Sequence, residues 1–478
     1  LAILLALPVS SLGARTADRP SVLSGIEIPP LNFTPPPVDS RDLTQYATLY
    51  RLQDDTLPVV HLRIIIEGGE DLEAVEEAGN LSAMAALLQS GGAGKLSPQD
   101  MASKLALLGA SISTSVSDQT WEIELSAMRD DFLDAFSLLE LMLSEPTFNE
   151  SSLGTIKNQM ISSIRSRLDS PDTIGFLKLS EIMYPGTRKG HSLSEEDVKQ
   201  ISVETVRNTY KNRLQQARYH IALDGNFQGL GVEKRLVELL RKLPVPARPL
   251  TLLPDNAFQM PGGAAAKDNP YRGKIVHVTG DFAQSLLIVA SPSVAHNDPE
   301  FYTLQLGNHI LGGGSFTSRL MQEIRVKRGL AYYAYSYNRS QAASGYLAAV
   351  SATRSERAAE TLNLMLQLLE SMKSQVSESD LEQARTAILN SLVFLYDNPS
   401  DILADQIRFR IDEMPENYLN QFPDRLKEVK ATGIKETFSR YLKRDDLFIV
   451  VVGPPSLAKD LRNIAPVITM DAAGKNSN

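Results

Sequence analysis

"WEIELSAMRDDFLDAFSLLELMLSEPTFNESSLGTIKNQMISSI", residues 121–164, returns in the same order of elements as "GYLAAVSATRSERAAETLNLMLQLLESMKSQVSESDLEQARTAIL" at 345–389. Each copy opens on a stretch of period-two alternation, which predicts a half-buried strand. A polar "MRDD" or "TRSE" start then leads into an amphipathic helix, and a second helix begins after "FNESSL" or "VSESDL". The likeness extends outward: "TYKNRLQQARYHIALDGN" at 209–226 matches "SRYLKRDDLFIVVVGP" at 439–454, with a short strand that stops at Gly225 or Gly453. The paired features lie roughly 225 to 230 residues apart, far beyond the period of a solenoid. The chain is a duplicated domain.

A chain of 478 residues with 43% hydrophobic content exceeds what a single core accommodates. Strands such as "VVHLRIIIEGG" and "QSLLIVASPSV" alternate with helices in both copies, and the turn spacing favours antiparallel sheets covered by helices on one face. The expected fold is α+β: two homologous domains, each a mainly antiparallel sheet covered by helices, facing one another in a half-shell. The N-terminal domain is expected at 41–241 and the C-terminal domain at 274–466, joined by a Pro/Gly/Ala-rich linker at 242–273.

"LAILLALPVSSL" at 1–12 is apolar, too short to span a bilayer, and followed by small residues, the pattern of a secretory signal. Residues 1–13 are therefore expected to be a signal peptide remnant, the alternative being a buried N-terminal element. A proline-rich lead-in is expected at 14–40 and a tail at 467–478. The expected location is periplasmic or secreted, without stable membrane insertion. The absence of cysteine excludes disulfides and thiolate zinc sites. A net charge of -9 argues against nucleic acid as a partner.

No two of the six histidines are three to five residues apart, the spacing that turns two imidazoles to one helical face. A Gly-x-Ser-x-Gly nucleophile turn is not found. The glycine-rich run at 311–320 lacks the lysine of a phosphate loop, and its simplest reading is a flexible turn between two helices. Its continuation, "MQEIRVKRGLAYYAYSY" at 321–337, is a helix ending in a basic run, a break at Gly329, and a strand with Tyr333, Tyr335 and Tyr337 on one face. Arg325 and Tyr332 are placed to converge beside the glycine loop; the plainer reading is a solvated helix end and an aromatic edge strand.

These residues carry a resemblance. "GGGSFTSRLMQEIRVKRGLAYYAYS" at 312–336 resembles the C-terminal-domain signature of the pitrilysin and insulinase family of zinc peptidases, which includes the mitochondrial processing peptidase and paired bacterial peptidases. In that family an inverted His-x-x-Glu-His motif on a first-domain helix holds zinc. Laid on "GNLSAMAALLQSGG" at 79–92, the pattern puts Ser82 and Ala86 at the histidine positions and Ala85 at the glutamate; the further glutamate ligand falls at Ser163. None of the four holds a divalent cation or activates water. The resemblance implies no metal or cofactor in this chain and zinc in a homologous partner subunit that hydrolyses unfolded peptides. It implies that Arg325 and Tyr332 act on substrate in trans, and that Gly312, Gly313 and Gly314 form a substrate-handling loop. The chain is then inactive alone, the non-catalytic subunit of a heterodimeric zinc metallopeptidase. Two alternatives stand beside this: a structural or assembly protein of the same fold, and a stand-alone peptide-binding homodimer.

Overall fold

The computed structural model describes residues 37–472 except 217, 245–268, 342–344, 397 and 416. The expected signal remnant, most of the lead-in, most of the linker and residues 473–478 of the tail lie outside the described residues. The first half runs β1 (Asp39–Thr44), β2 (Ala47–Gln53), β3 (Val59–Glu67), α1 (Asn80–Ser90), α2 (Pro98–Leu107), β4 (Ser111–Val116) and β5 (Thr120–Met128). It continues with α3 (Phe132–Ser144), α4 (Glu150–Ser166), α5 (Pro171–Met183), α6 (Glu195–Gln200), α7 (Val203–Gln216), β6 (Tyr219–Gly225) and α8 (Val232–Lys242). The second half runs β7 (Ile275–Thr279), β8 (Gln284–Ser293), α9 (Phe301–Asn308), β9 (Ala331–Ser340), β10 (Gly345–Arg354) and α10 (Ala358–Ser371). Then follow α11 (Glu378–Leu395), α12 (Pro399–Ile411), α13 (Tyr418–Glu428), α14 (Ala431–Tyr441), β11 (Phe448–Gly453), α15 (Ala458–Leu461) and β12 (Val467–Asp471).

Two six-stranded, mainly antiparallel sheets result, ordered β1-β2-β6-β3-β5-β4 and β12-β7-β11-β8-β10-β9. Five strands of each correspond one to one, as the repeat predicts. The sixth comes from opposite ends of the chain: β1 precedes its sheet and pairs antiparallel with β2, whereas β12 follows its sheet and pairs parallel with β7. The expected boundaries shift accordingly. β1 starts at Asp39, inside the expected lead-in. Residues 467–471 are the outer strand of the second sheet rather than tail, because Met470 is buried there and the strand's backbone is paired with β7.

One face of each sheet carries its own helices. Trp121, Ile123 and Leu125 pack on Phe132, Phe136 and Leu139 of α3; Leu347 and Ala349 pack with Leu362 and Met365 of α10. The second helix of each repeat is started by side chains: the Asn149 carboxamide oxygen accepts from the Ser152 amide at 2.8 Å, and Ser377 with Asp380 forms a reciprocal capping box at α11.

The other face departs from expectation, since each sheet is covered there by a helix of the opposite half. Ile174, Leu179, Ile182 and Met183 of α5 pack on Val276, Val278, Leu286, Ile288 and Val450 of the second sheet. Leu403 and Ile407 of α12 pack on Tyr50, Ile65 and Ala222 of the first. The physical reason is visible in β8 and β11, which are buried on both faces along nearly their whole length and so require a layer on each side. Gly175 permits the close approach of α5: a Cβ there would lie 2.3 Å from Leu286 Cδ2.

This exchange predicts that the halves unfold together. Leu403→Ala, at a fully buried position, is expected to cost about 2–5 kcal/mol. It should also speed amide exchange in β2 and β6 of the other repeat. Denaturant melts with hydrogen exchange check this; acceleration confined to 399–411 would refute it.

Candidate functional site

The described residues hold two places of interest, at α1 and at the start of β9. Helix α1 begins at a left-handed Gly79, and the buried Glu73 carboxylate accepts from the Leu81 amide at 2.7 Å and the Gly79 amide at 3.2 Å. A carboxylate at a helix N-terminus satisfies orphan donors and opposes the helix dipole. Ser82, one turn on, donates its hydroxyl to Glu70 Oε1 at 2.6 Å. Ala85 is buried, and its carbonyl accepts from Thr114 Oγ1 of edge strand β4 at 2.9 Å. Ser163, from α4, shares with Ser82 the lining of a cavity of about 740 Å³.

The structure thus brings together the first and last of the positions at which the resemblance expects metal ligands. What stands there does not fit a metal. Ser82 is committed to Glu70, Ala85 and Ala86 have no donor, and no group of three or more His, Cys, Asp or Glu among the described residues is placed to hold an ion.

Sequence reading missed the charges around α1. Arg188, nearly buried in the loop after α5, donates Nη2 to Glu70 Oε2 at 3.1 Å, Nε to Glu73 Oε2 at 3.2 Å and Nη1 to the His191 carbonyl at 3.1 Å. The acidic run "EGGEDLEAVEE" at 67–77 was the available signal; its partner, more than a hundred residues on, had none. Burial raises the Glu73 carboxyl, against the lowering effect of its amide donors and of Arg188. The opposite wall comes from the second half: Tyr337, Arg339 and Tyr346, with Arg339 paired to Asp118 at 2.6 Å. Lys189 lies 4.8 Å from the Tyr184 ring and donates to Gln341 at 2.6 Å, and burial lowers its ammonium. Asp71 leaves Oδ2 buried without a hydrogen-bond partner, and desolvation pushes its carboxyl up to about 6.

At the second place Arg325 and Tyr332 do meet. The expected α-helical segment is instead a π-helical turn, Met321–Val326, entered from Ser315–Thr317 and a second π turn, His309–Gly313. Such turns often mark functional sites. The Arg325 guanidinium carbon lies 4.9 Å from the Tyr332 ring centre and 5.2 Å from that of Phe316, so the cation is flanked by two rings. Phe316 was not singled out from the sequence. Tyr332 is 74% exposed and Phe316 56% exposed. Lys327 and Arg328 both pair with Glu323, which leaves Arg325 without a carboxylate partner among the described residues.

The glycine loop is packed rather than a flexible turn. A Cβ would lie 2.2 Å from the Ser336 amide nitrogen at Gly312, 2.7 Å from Asn308 Nδ2 at Gly313 and 2.7 Å from the His309 carbonyl oxygen at Gly314. Glycine here lets the π turn press against β9. Tyr333, Tyr335 and Tyr337 share one face of β9, as expected, with successive ring centres 5.7 and 6.3 Å apart. Tyr332 and Arg339 stand near opposite ends of that strand, separated by about 23 Å for roughly seven residues of strand rise. The Arg325–Tyr332 pair therefore does not reach the chain's own cavity wall at Arg339.

With this geometry in hand, residues 200–388 match the family profile described as "Peptidase M16 inactive domain". The "Non-peptidase homolog YmxG" of Helicobacter pylori is 20% identical over 407 residues, covering 84% of this chain and 90% of that protein. The structure of a peptidase M16 inactive domain from Pseudomonas fluorescens superposes with a TM-score of 0.75 at 24% identity, covering 87% of this chain and 98% of its own. The periplasmic protease PqqL of Escherichia coli superposes with a TM-score of 0.70 at 14% identity, over 92% of this chain and 49% of its own. The resemblance and the two-domain fold drawn from the residues are thereby borne out. No helix among the described residues is long and apolar enough to cross a membrane.

Asp71 supplies a pH test of the cavity. Its folded pKa, about 6, exceeds the ordinary 3.8, so between these values the folded chain binds a proton that the unfolded chain does not, and stability from this group rises as pH falls. Asp71→Asn should raise Tm by a few degrees near pH 7, with the gap closing by about pH 4. Thermal melts across pH measure it, and a pH-independent difference would exclude a strained carboxylate.

Proposed function

We propose that this chain, a relative of the M16 peptidases that carries their inactive domain at 200–388, is the non-catalytic subunit of a heterodimeric zinc peptidase. It lends Arg325 and Tyr332 to peptides held at the zinc of a homologous partner. The observation that carries this reading is the position of the pair: an exposed Tyr332 beside a half-buried, ring-flanked Arg325 that has no carboxylate partner among the described residues, at the far end of β9 from the chain's own α1 cavity. A scaffold has no need of such a pair. A heterodimer places it in the partner's chamber.

The chemistry follows from the donors. As water adds to a peptide carbonyl, charge develops on its oxygen, and a phenol held there strengthens its hydrogen bond most in the transition state. Tyr332 fits that role. Arg325, close to two rings, presents a planar fork of donors to peptide carbonyls or a terminal carboxylate. The glycine loop serves this indirectly, by seating Phe316 and the π turn that carries Arg325. The apolar run at 1–12 supports export, to the periplasm or beyond.

In the complex assembled with a zinc-bearing homologue, Tyr332→Phe is expected to lower kcat on the order of a hundredfold. Arg325→Ala is expected to raise KM as well, with zinc content and assembly unchanged. Peptidase kinetics with light scattering on mixed chains are the measurement. Normal turnover by both variants, or a chain that ignores the homologue, would replace this reading with that of a scaffold or homodimer.

A further inference from the structure

The cavity wall that lacks metal ligands is not lacking in charge. Arg188 has a side chain only 9% exposed, and its nitrogens reach two carboxylates and one carbonyl. Through Glu70 it is linked to the Ser82 hydroxyl, and through Glu73 to the amides of Gly79 and Leu81. One guanidinium therefore organises the entry and first turn of α1 from a loop more than a hundred residues away. Glu73 is almost wholly inaccessible, its side chain being 1% exposed, and Glu70 is about one-third exposed. Two carboxylates this close to one another do not both stay ionised without a counter-charge. Arg188, Glu70, Ser82 and Ser163 all line the one cavity.

We propose that Arg188 is the resident cation of this centre: it supplies, from the chain itself, the positive charge that holds α1 and its two carboxylates in place, and it bars a divalent cation even where ligand side chains are restored. A divalent cation held at Ser82 and Ser163 would share the cavity wall with the Arg188 guanidinium and be repelled by its charge. A guanidinium is also suited to the place, because its planar fork serves two carboxylates and a carbonyl at once, whereas an ammonium is a single point of charge. The inference concerns the chain alone and does not rest on its action within a heterodimer.

Two experiments on the full chain test it, with Zn²⁺ alone as the metal probe. In the first, Ser82→His, Ala85→Glu, Ala86→His and Ser163→Glu are introduced together, with and without Arg188→Gln, and zinc is measured by elemental analysis after dialysis. With Arg188 present the restored chain should retain little zinc, and with Arg188→Gln it should retain about one ion per chain. Equal zinc in both overturns the proposal.

The second experiment needs no restored ligands, and so stands even if those variants do not fold. Arg188→Gln alone should lower Tm by roughly 5 °C or more, because it leaves the buried Glu73 and the partly exposed Glu70 without this counter-charge. Arg188→Lys should recover part of the loss. In a Glu70→Gln, Glu73→Gln background the same Arg188→Gln change should cost far less, since the charges it balances are gone. An equal loss in both backgrounds would mean that Arg188 acts by packing, and the resident-cation assignment would fall.

Discussion

The structure depends on the exchange of one helix between its halves. Strands β8 and β11 are apolar on both faces, and α5 arrives from the other repeat to cover the side that the local helices leave bare. In return α12 covers Tyr50, Ile65 and Ala222 of the first sheet. The two exchanges are not equivalent chemically. The face under α5 is mainly apolar, with the Tyr333 hydroxyl donating to Asp172 of α5 at its margin, whereas that under α12 lies beside the buried His220–Glu67 pair at 2.7 Å and Asp224, which accepts from Ser400 at 2.8 Å. Burial raises the Asp224 carboxyl, as expected where desolvation outweighs one hydroxyl donor. The duplication has kept its geometry and let its chemistry diverge.

The same exchange builds the α1 cavity. Because α5 lies on the second sheet, the loop that follows it, with Tyr184, Arg188 and Lys189, is carried into the space between α1 and β9. Arg188 meets Glu70 and Glu73 there, and Lys189 meets Gln341 of the opposite half. Ion pairs shape this wall. Strand β9 connects this wall to the exposed Tyr332 and the half-buried Arg325 beside it, so one edge strand presents an ion-paired end and an open, aromatic one.

The duplication was legible in the residues because strand alternation, helix caps and terminal glycines are local signals that recur at a fixed offset. Gly225 ends β6 at a φ of 93°, where a Cβ would strike the Val59 carbonyl at 2.2 Å, so its identity follows from the turn itself. The meeting of Arg325 and Tyr332 was legible for a similar reason, since only a short turn separates them. Phe316 was not, because it sits in a short 3-10 turn between two π turns rather than on an α-helix. Nor was the strand at 467–471, whose short apolar pattern has meaning only beside β7.

The residue order alone therefore decided the repeat, the element types, the lack of metal-ligating side chains at Ser82, Ala85 and Ala86 on α1 and the nearness of Arg325 to Tyr332, all of which depend on neighbours within a few turns of chain. Tertiary structure decided which sheet each exchanged helix covers, which strand closes each sheet, and which cation balances Glu70 and Glu73. Those outcomes depend on burial shared between segments more than a hundred residues apart, and periodicity along a chain carries no information about which distant surface a buried face will meet.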